Sequence, residues 1–299
     1  MSFEYTPETV EDLVCYWFHV YASAHKSASS LKRDQGILRN YLIPAFGGIK
    51  LPDLHVRHID EWFSRLQNSS GLSPKSCNDV LGLFRKICND GERWGFLDKN
   101  PTLRIKKLRT QKKECKFWKK EQIQQYLGFW LSKTHPPRIF WAVVIALYTG
   151  LRRGELIGLK WDVIDFEYKM IEVKRSYCRI LGKVKEETKS KESRRVPINT
   201  SLVHHLEKIK NFTLSTGYVL PFIHPDLYHK EFKRSCRDAR VKEIRFHDLR
   251  HTFASNFLMS GGNIYDLQKM LGHSTIQVTE LYTHLIPTHL KDKTEILEF

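Results

Sequence analysis

The sequence predicts a mostly α-helical chain with a small β-sheet, arranged as an N-terminal helical domain (residues 1–100), a basic linker (101–116) and a mixed α/β domain (117–299). Three observations predict it. Helical spacing of apolar residues recurs four times in the first hundred residues, β-prone runs interrupt the helices only beyond residue 160, and a strongly basic stretch led by a proline stands between. A chain of 299 residues that is 41% apolar and 12% aromatic can bury a core in each domain.

The first helix is capped by Thr9 and presents Val10, Leu13, Val14, Trp17, Phe18 and Tyr21 on one face. A second carries Ile37, Leu38, Tyr41 and Leu42 and is expected to stop at Pro44. A third shows Ile59, Trp62, Phe63 and Leu66. A fourth opens with Ser73 as N-cap and Pro74 in its first turn, then buries Cys77, Val80, Leu81, Phe84 and Ile87. Beyond the linker, Ile139 to Tyr148 is apolar all round, as a buried helix is, and Thr149-Gly150 marks a bend. Two β-prone runs follow, VIDF from Val163 and MIEVKR from Met170, and then a basic hairpin, ETKSKESRRVPI from Glu187. Three helices close the chain: one with Leu249, Phe253 and Phe257, one with Ile264, Leu267, Met270 and Leu271 ending at Gly272, and one with Val278, Leu281 and Leu285 ending before Pro287.

The formal net charge is +16, from 49 basic and 33 acidic residues. Residues 1–100 are balanced at 12 of each sign, whereas residues 101–120 hold nine basic side chains and one acidic. Half of the excess therefore lies in twenty residues, the footprint of a segment that lies on a polyanion. The six cysteines are widely spaced with no C-x-x-C pair, which excludes a disulfide framework and a zinc ribbon and fits a reducing compartment. The longest nearly apolar stretch, Ile139 to Leu151, is shorter than the roughly 20 residues of a membrane span. A soluble cytoplasmic protein is expected, with no membrane contact.

Chemistry-bearing residues are set among these apolar faces. Arg152 follows the bend, His247 and Arg250 are three apart in FHDLRHTF, His273 follows a helix-ending Leu-Gly, and Tyr282 lies one turn before Leu285. Two arginines brought together hold a phosphate with forked, permanently charged donors. No phosphate-binding glycine loop, dinucleotide fingerprint or magnesium-type carboxylate cluster is present, so no cofactor and no metal is expected.

The strings TGLRRGEL, HDLRHT, LGH and TELYTH, in this order and spacing, resemble the tyrosine recombinases, the phage-integrase and Xer-type enzymes, over nearly the whole chain. The resemblance implies a helical core-binding domain followed by a catalytic domain of the tyrosine recombinase type. It implies that Arg152 and Arg250 clamp the scissile phosphate, that His247 and His273 are the active-site histidines, that Tyr282 is the nucleophile and that Glu155 supports the site. The family's lysine lies on a β-hairpin before V-P-[IL]; Lys189 aligns with it, and Lys191 is the alternative. His247 is the candidate base and Lys189 the candidate acid.

The implied activity is site-specific DNA recombination through a 3′-phosphotyrosyl intermediate, for integration or excision of a mobile element. The alternatives are dimer resolution, relaxation of the type IB topoisomerase kind, and DNA binding without chemistry. Implied partners are double-stranded DNA at recombination core sites, three further copies in a DNA-bound homo-tetramer, and accessory proteins that set direction or bend DNA. The tail after Tyr282, with Leu290, Ile296, Leu297 and Phe299 apolar beyond Pro287, is expected to dock on a neighbouring protomer. Relatives with an arm-binding domain carry it ahead of the core-binding one; with a helix starting by Thr9, none is expected here.

Overall fold

A computed structural model describes residues 6–110, 115–186 and 193–285. The chain divides into two compact units, Met1–Lys113 and Glu114–Phe299.

In the first unit Thr9 caps α1 (Val10–Trp17) through a reciprocal box with Asp12: the Asp12 amide donates to Thr9 Oγ1 and the Thr9 amide to Asp12 Oδ2. Helix α2 (Ala28–Ile37) does not stop at Pro44. A π-turn over Leu38–Leu42 joins it to a further turn, Ile43–Phe46, with the Ile43 amide donating to Leu38 O. The shift to five-residue spacing puts Pro44 in the first turn of that segment, where its missing N–H is not needed. Helices α3 (Val56–Ser69) and α4 (Pro74–Arg93) follow, the latter capped by Ser73 as its spacing predicts.

Their inward faces close a core in which Phe46 stacks on Phe84 at 4.8 Å. The buried Trp17 Nε1 donates to Asp90 Oδ2 at 2.8 Å, and Lys86 and Arg93 also pair with that carboxylate. The start of the basic stretch is packed on this unit: Arg85 donates to Thr102 O and Ile105 O, Ile105 is buried, and Asn78 exchanges hydrogen bonds with the Leu108 backbone. The Arg85 and Asn78 side chains thus anchor residues that composition alone assigned to a connector.

In the second unit α6 (Arg138–Thr149), buried from Ile139 to Leu147, is surrounded by α5 (Lys120–Leu131), which precedes it, and by α8 (Thr200–Thr213), α9 (Tyr228–Asp238) and α10 (Asp248–Met259). The short α7 (Arg153–Ile157) follows the bend, and α11 (Ile264–Leu271) follows α10. Strands β1 (Ile164–Asp165), β2 (Met170–Val173) and β5 (Arg194–Pro197) form an antiparallel sheet in the order β1-β2-β5, with Ile171 opposite Val196 and Val173 opposite Arg194. A separate hairpin, β3 (Ser176–Cys178) with β4 (Lys183–Lys185), was not foreseen from the sequence.

The last expected helix is also different. Val278, Leu281 and Leu285 lie on two short 3₁₀ segments, Ile276–Val278 and Glu280–Leu285. Their tighter winding lets Tyr282 reach inward to Ala254, Leu258, Leu267 and Leu271 while Val278 and Leu281 stay exposed. Lys112 and Lys113 of the linker, Lys189 and Lys191, and the tail beyond Leu285 lie outside the described residues. Among those described, no helix is long and apolar enough to cross a membrane, and no group of side chains is arranged to hold a metal.

Gly150 ends α6 at φ +65°, and a Cβ there would come within 2.6 Å of Phe253 and 2.7 Å of Leu271. Both the left-handed conformation and the close approach require glycine. Gly150→Ala is expected to destabilise the second unit by about 1–3 kcal/mol, read as a lower denaturant midpoint.

Candidate active site

The bend after α6 delivers the first arginine. Thr149 Oγ1 donates back to Ile145 O, Gly150 reverses the chain, and Arg152 becomes the N-cap of α7. Its amide donates to Glu155 Oε2 at 2.8 Å and its Nη1 to Glu155 Oε1 at 2.9 Å. Glu155 is buried, and burial works against its charge. The hydrogen bonds and charge of Arg194, and then the contacts from Arg152, override that and hold the carboxyl at about 2. It is ionised throughout the neutral range.

The second arginine enters from α10. Its first turn is fixed by Asp248, whose buried carboxylate accepts from the Arg245 amide and guanidinium, and His247 sits at the N-cap. One turn in, Arg250 is 4% exposed and donates from Nη1 to Gly150 O at 2.8 Å and from Nη2 to Leu271 O at 2.5 Å. Burial and then the neighbouring Arg152 cation pull its pKa down, yet a guanidinium remains charged at neutral pH.

The end of α11 ties these groups together. Three successive carbonyls there, Met270, Leu271 and Gly272, accept from Arg194 Nε (2.8 Å), Arg250 Nη2 (2.5 Å) and Arg152 Nη2 (3.4 Å). A helix C-terminus carries unpaired carbonyls and partial negative charge, so it is a natural seat for cations. Three guanidinium groups and one carboxylate share this seat, which leaves two positive charges in excess.

Past Gly272 the chain places His273 with Nδ1 2.9 Å from Thr279 Oγ1. Burial, then Arg250 and Arg152, push its pKa down to about 4. His247 is likewise at about 4, by burial and then by His251. Both imidazoles are neutral at pH 7.

The tyrosine hydroxyl is not on His247. Tyr282, 2% exposed, has its Oη 2.5 Å from His251 Nδ1, and burial raises its pKa well above the ordinary phenol value. The His247 ring stands 5.6 Å, centroid to centroid, from that of His251. The structure thus brings Arg152, Glu155, Arg250 and His273 onto one helix end and sets His247 and Tyr282 on either side of His251. Lys189 and Lys191 are outside the described residues. Sequence reasoning missed His251 and Arg194. His251 lay in plain view in HDLRHT, but which of its two histidines meets the hydroxyl depends on how residues 280–285 wind. Arg194 was read only as part of a basic hairpin.

The phage integrase family matches residues 116–289, and the phage integrase N-terminal SAM-like domain matches residues 9–67. A tyrosine recombinase XerC-like protein of Caldanaerobacter subterraneus subsp. tengcongensis is 30% identical over all of this chain and 84% of its own length. The ICEBs1 integrase of Bacillus subtilis is 28% identical, covering 81% of this chain and 70% of itself. Among solved structures, the Tn1549 transposon integrase in complex with a circular intermediate DNA superposes with a TM-score of 0.79 at 22% identity, over 97% of this chain and all of that one. A lambda integrase tetramer bound to a Holliday junction gives 0.70 at 14% identity, over 90% of this chain and 79% of that one.

Proposed function

Because the chain belongs to the phage integrase family, the tyrosine recombinases that cleave and rejoin DNA, we propose that it is the integrase of a mobile element, working on duplex core sites as a DNA-bound homo-tetramer. The observation that carries this reading is the cluster at the end of α11, where two positive charges in excess meet a buried tyrosine. A phosphodiester has one negative charge and its transition state two, so this excess matches the charge that develops during the reaction.

In the reaction Tyr282 Oη bonds to phosphorus as its proton passes to His251 Nδ1, the nearest ring nitrogen. The bond from phosphorus to the 5′-oxygen breaks, and Lys189 supplies that oxygen with a proton. Arg152 and Arg250 take up the equatorial charge, and the neutral His247 and His273 hydrogen-bond the phosphate. The phosphotyrosyl bond conserves the energy needed for rejoining, so attack by a 5′-hydroxyl from a partner strand reverses each step. In the resting arrangement Tyr282 is buried, and burial disfavours the phenolate. DNA binding must therefore expose it before cleavage.

The test is to mix the protein with fragmented DNA of its host, denature, and sequence the ends left on the tyrosine. A discrete set of junctions flanking one element is the expected result; adducts at scattered positions would point to relaxation, and their absence would remove the reading. Binding should also depend steeply on salt, because Lys106, Lys107 and the other basic side chains displace counterions from phosphates. With about 6–10 phosphates contacted, affinity should fall on the order of 10³-fold or more between about 50 and 200 mM salt in a gel shift.

A further inference from the structure

We propose that Arg194 is a positioning residue that carries the charge of Glu155, and so keeps Arg152 available to the scissile phosphate. The inference rests on the reading of Arg152 as a phosphate ligand. Arg194 is held at both ends. Its backbone is fixed in the sheet opposite Val173, and its side chain, 9% exposed, donates from Nε to Met270 O. Its fork closes on the carboxylate, with Nη1 3.0 Å from Glu155 Oε1 and Nη2 2.7 Å from Oε2. The face with which a guanidinium grips a phosphate bidentately is thus already filled. Gly272 makes room for this: a Cβ at that position would lie 2.8 Å from Arg194 Cδ.

The consequence lies in the charges. Each Glu155 oxygen accepts from both arginines, Oε1 from the two side chains and Oε2 from Arg194 and the Arg152 amide. With Arg194 present, the carboxylate has a cation of its own and serves Arg152 as an anchor. Without it, a buried carboxylate has Arg152 as its nearest counter-ion, and the two close into a neutral pair before any phosphate arrives. The cluster would then present one positive charge in place of two.

The test is a double-mutant cycle on single-turnover adduct formation, using a nicked duplex copied from a junction recovered by the trapping experiment. Arg194→Met should slow adduct formation by about 100-fold or more, the scale of one lost electrostatic contact in a transition state. In the Glu155→Gln background the same change should matter less than about threefold, because no buried charge remains to capture Arg152. The Arg194→Met rate relative to the parent should also rise as pH falls, since the carboxyl, no longer held low, protonates and releases Arg152. An equal loss in both backgrounds, with a flat pH ratio, would overturn the proposal. If Arg194→Met does not fold, the comparison of Glu155→Gln with the double variant decides alone. Arg152→Ala is measured alongside: adduct formation at the parent rate would remove the phosphate-ligand reading itself, separately from the role of Arg194.

Discussion

Tyr282→Phe is expected to abolish the denaturant-resistant protein–DNA adduct, a loss of at least about 10⁴-fold, while gel-shift affinity stays within about threefold of the parent. The substitution removes one oxygen. The ring keeps its place among Ala254, Leu258, Leu267 and Leu271, so the fold has no reason to change, and the hydrogen-bond partner lost among the described residues is His251 Nδ1. Because that hydrogen bond ties the hydroxyl inward, the variant should if anything bind DNA slightly more readily. Adduct formed by Tyr282→Phe would show that another residue is the nucleophile, and mapping the attached peptide would identify it.

The second large effect belongs to the arginines. Arg250→Ala and Arg152→Ala should each lower the cleavage rate by about 10³-fold and binding by less than about tenfold, since their contacts strengthen as charge develops on the phosphate. They should differ in stability. Arg250 is buried, and its removal orphans Gly150 O and Leu271 O, so Arg250→Ala should also lower the melting temperature. Arg152 is more open, with 27% of its side chain exposed, and its loss should leave melting nearly unchanged. Lysine at 250 separates charge from geometry: it keeps a cation but cannot reach two carbonyls and a phosphate at once, and it should recover little of the rate. Equal losses in cleavage and binding for either alanine variant would contradict a transition-state role.

The helices legible in the sequence are those whose burial follows a single period. Val10 to Trp17 and Pro74 to Arg93 carry both a cap and an uninterrupted apolar stripe, so local rules decide them. Pro44 was misleading because a π-turn absorbs it, and no composition rule announces a π-turn. The 3₁₀ winding of residues 276–285 was hidden for a different reason. Val278, Leu281 and Leu285 satisfy a helical spacing, but the position that is buried there is Tyr282, which reaches toward His251 across the unit. In the site, the motifs place Arg152 after a bend, Arg250 near a helix start and His273 past a helix end, yet their common ground is the set of carbonyls at the end of α11. Backbone groups leave no trace in side-chain identity, and so neither Arg194 nor the shared helix end could be read in advance.

That helix end has one more consequence. Among the described residues, the hydrogen bonds of the arginine cluster are complete by Gly272 and His273 is held by Thr279, so the residues that carry the tyrosine touch this helix through the apolar packing of the ring on Leu267 and Leu271. On the proposed reading, holding and cutting fall in separate stretches of the chain. A full-length chain carrying Tyr282→Phe, which keeps the ring in the core of Ala254, Leu258, Leu267 and Leu271, would keep the means to occupy a site and lack the means to open it. Produced beside the intact protein, such a chain is expected to act as a poison, because each copy seated on DNA would displace a competent one.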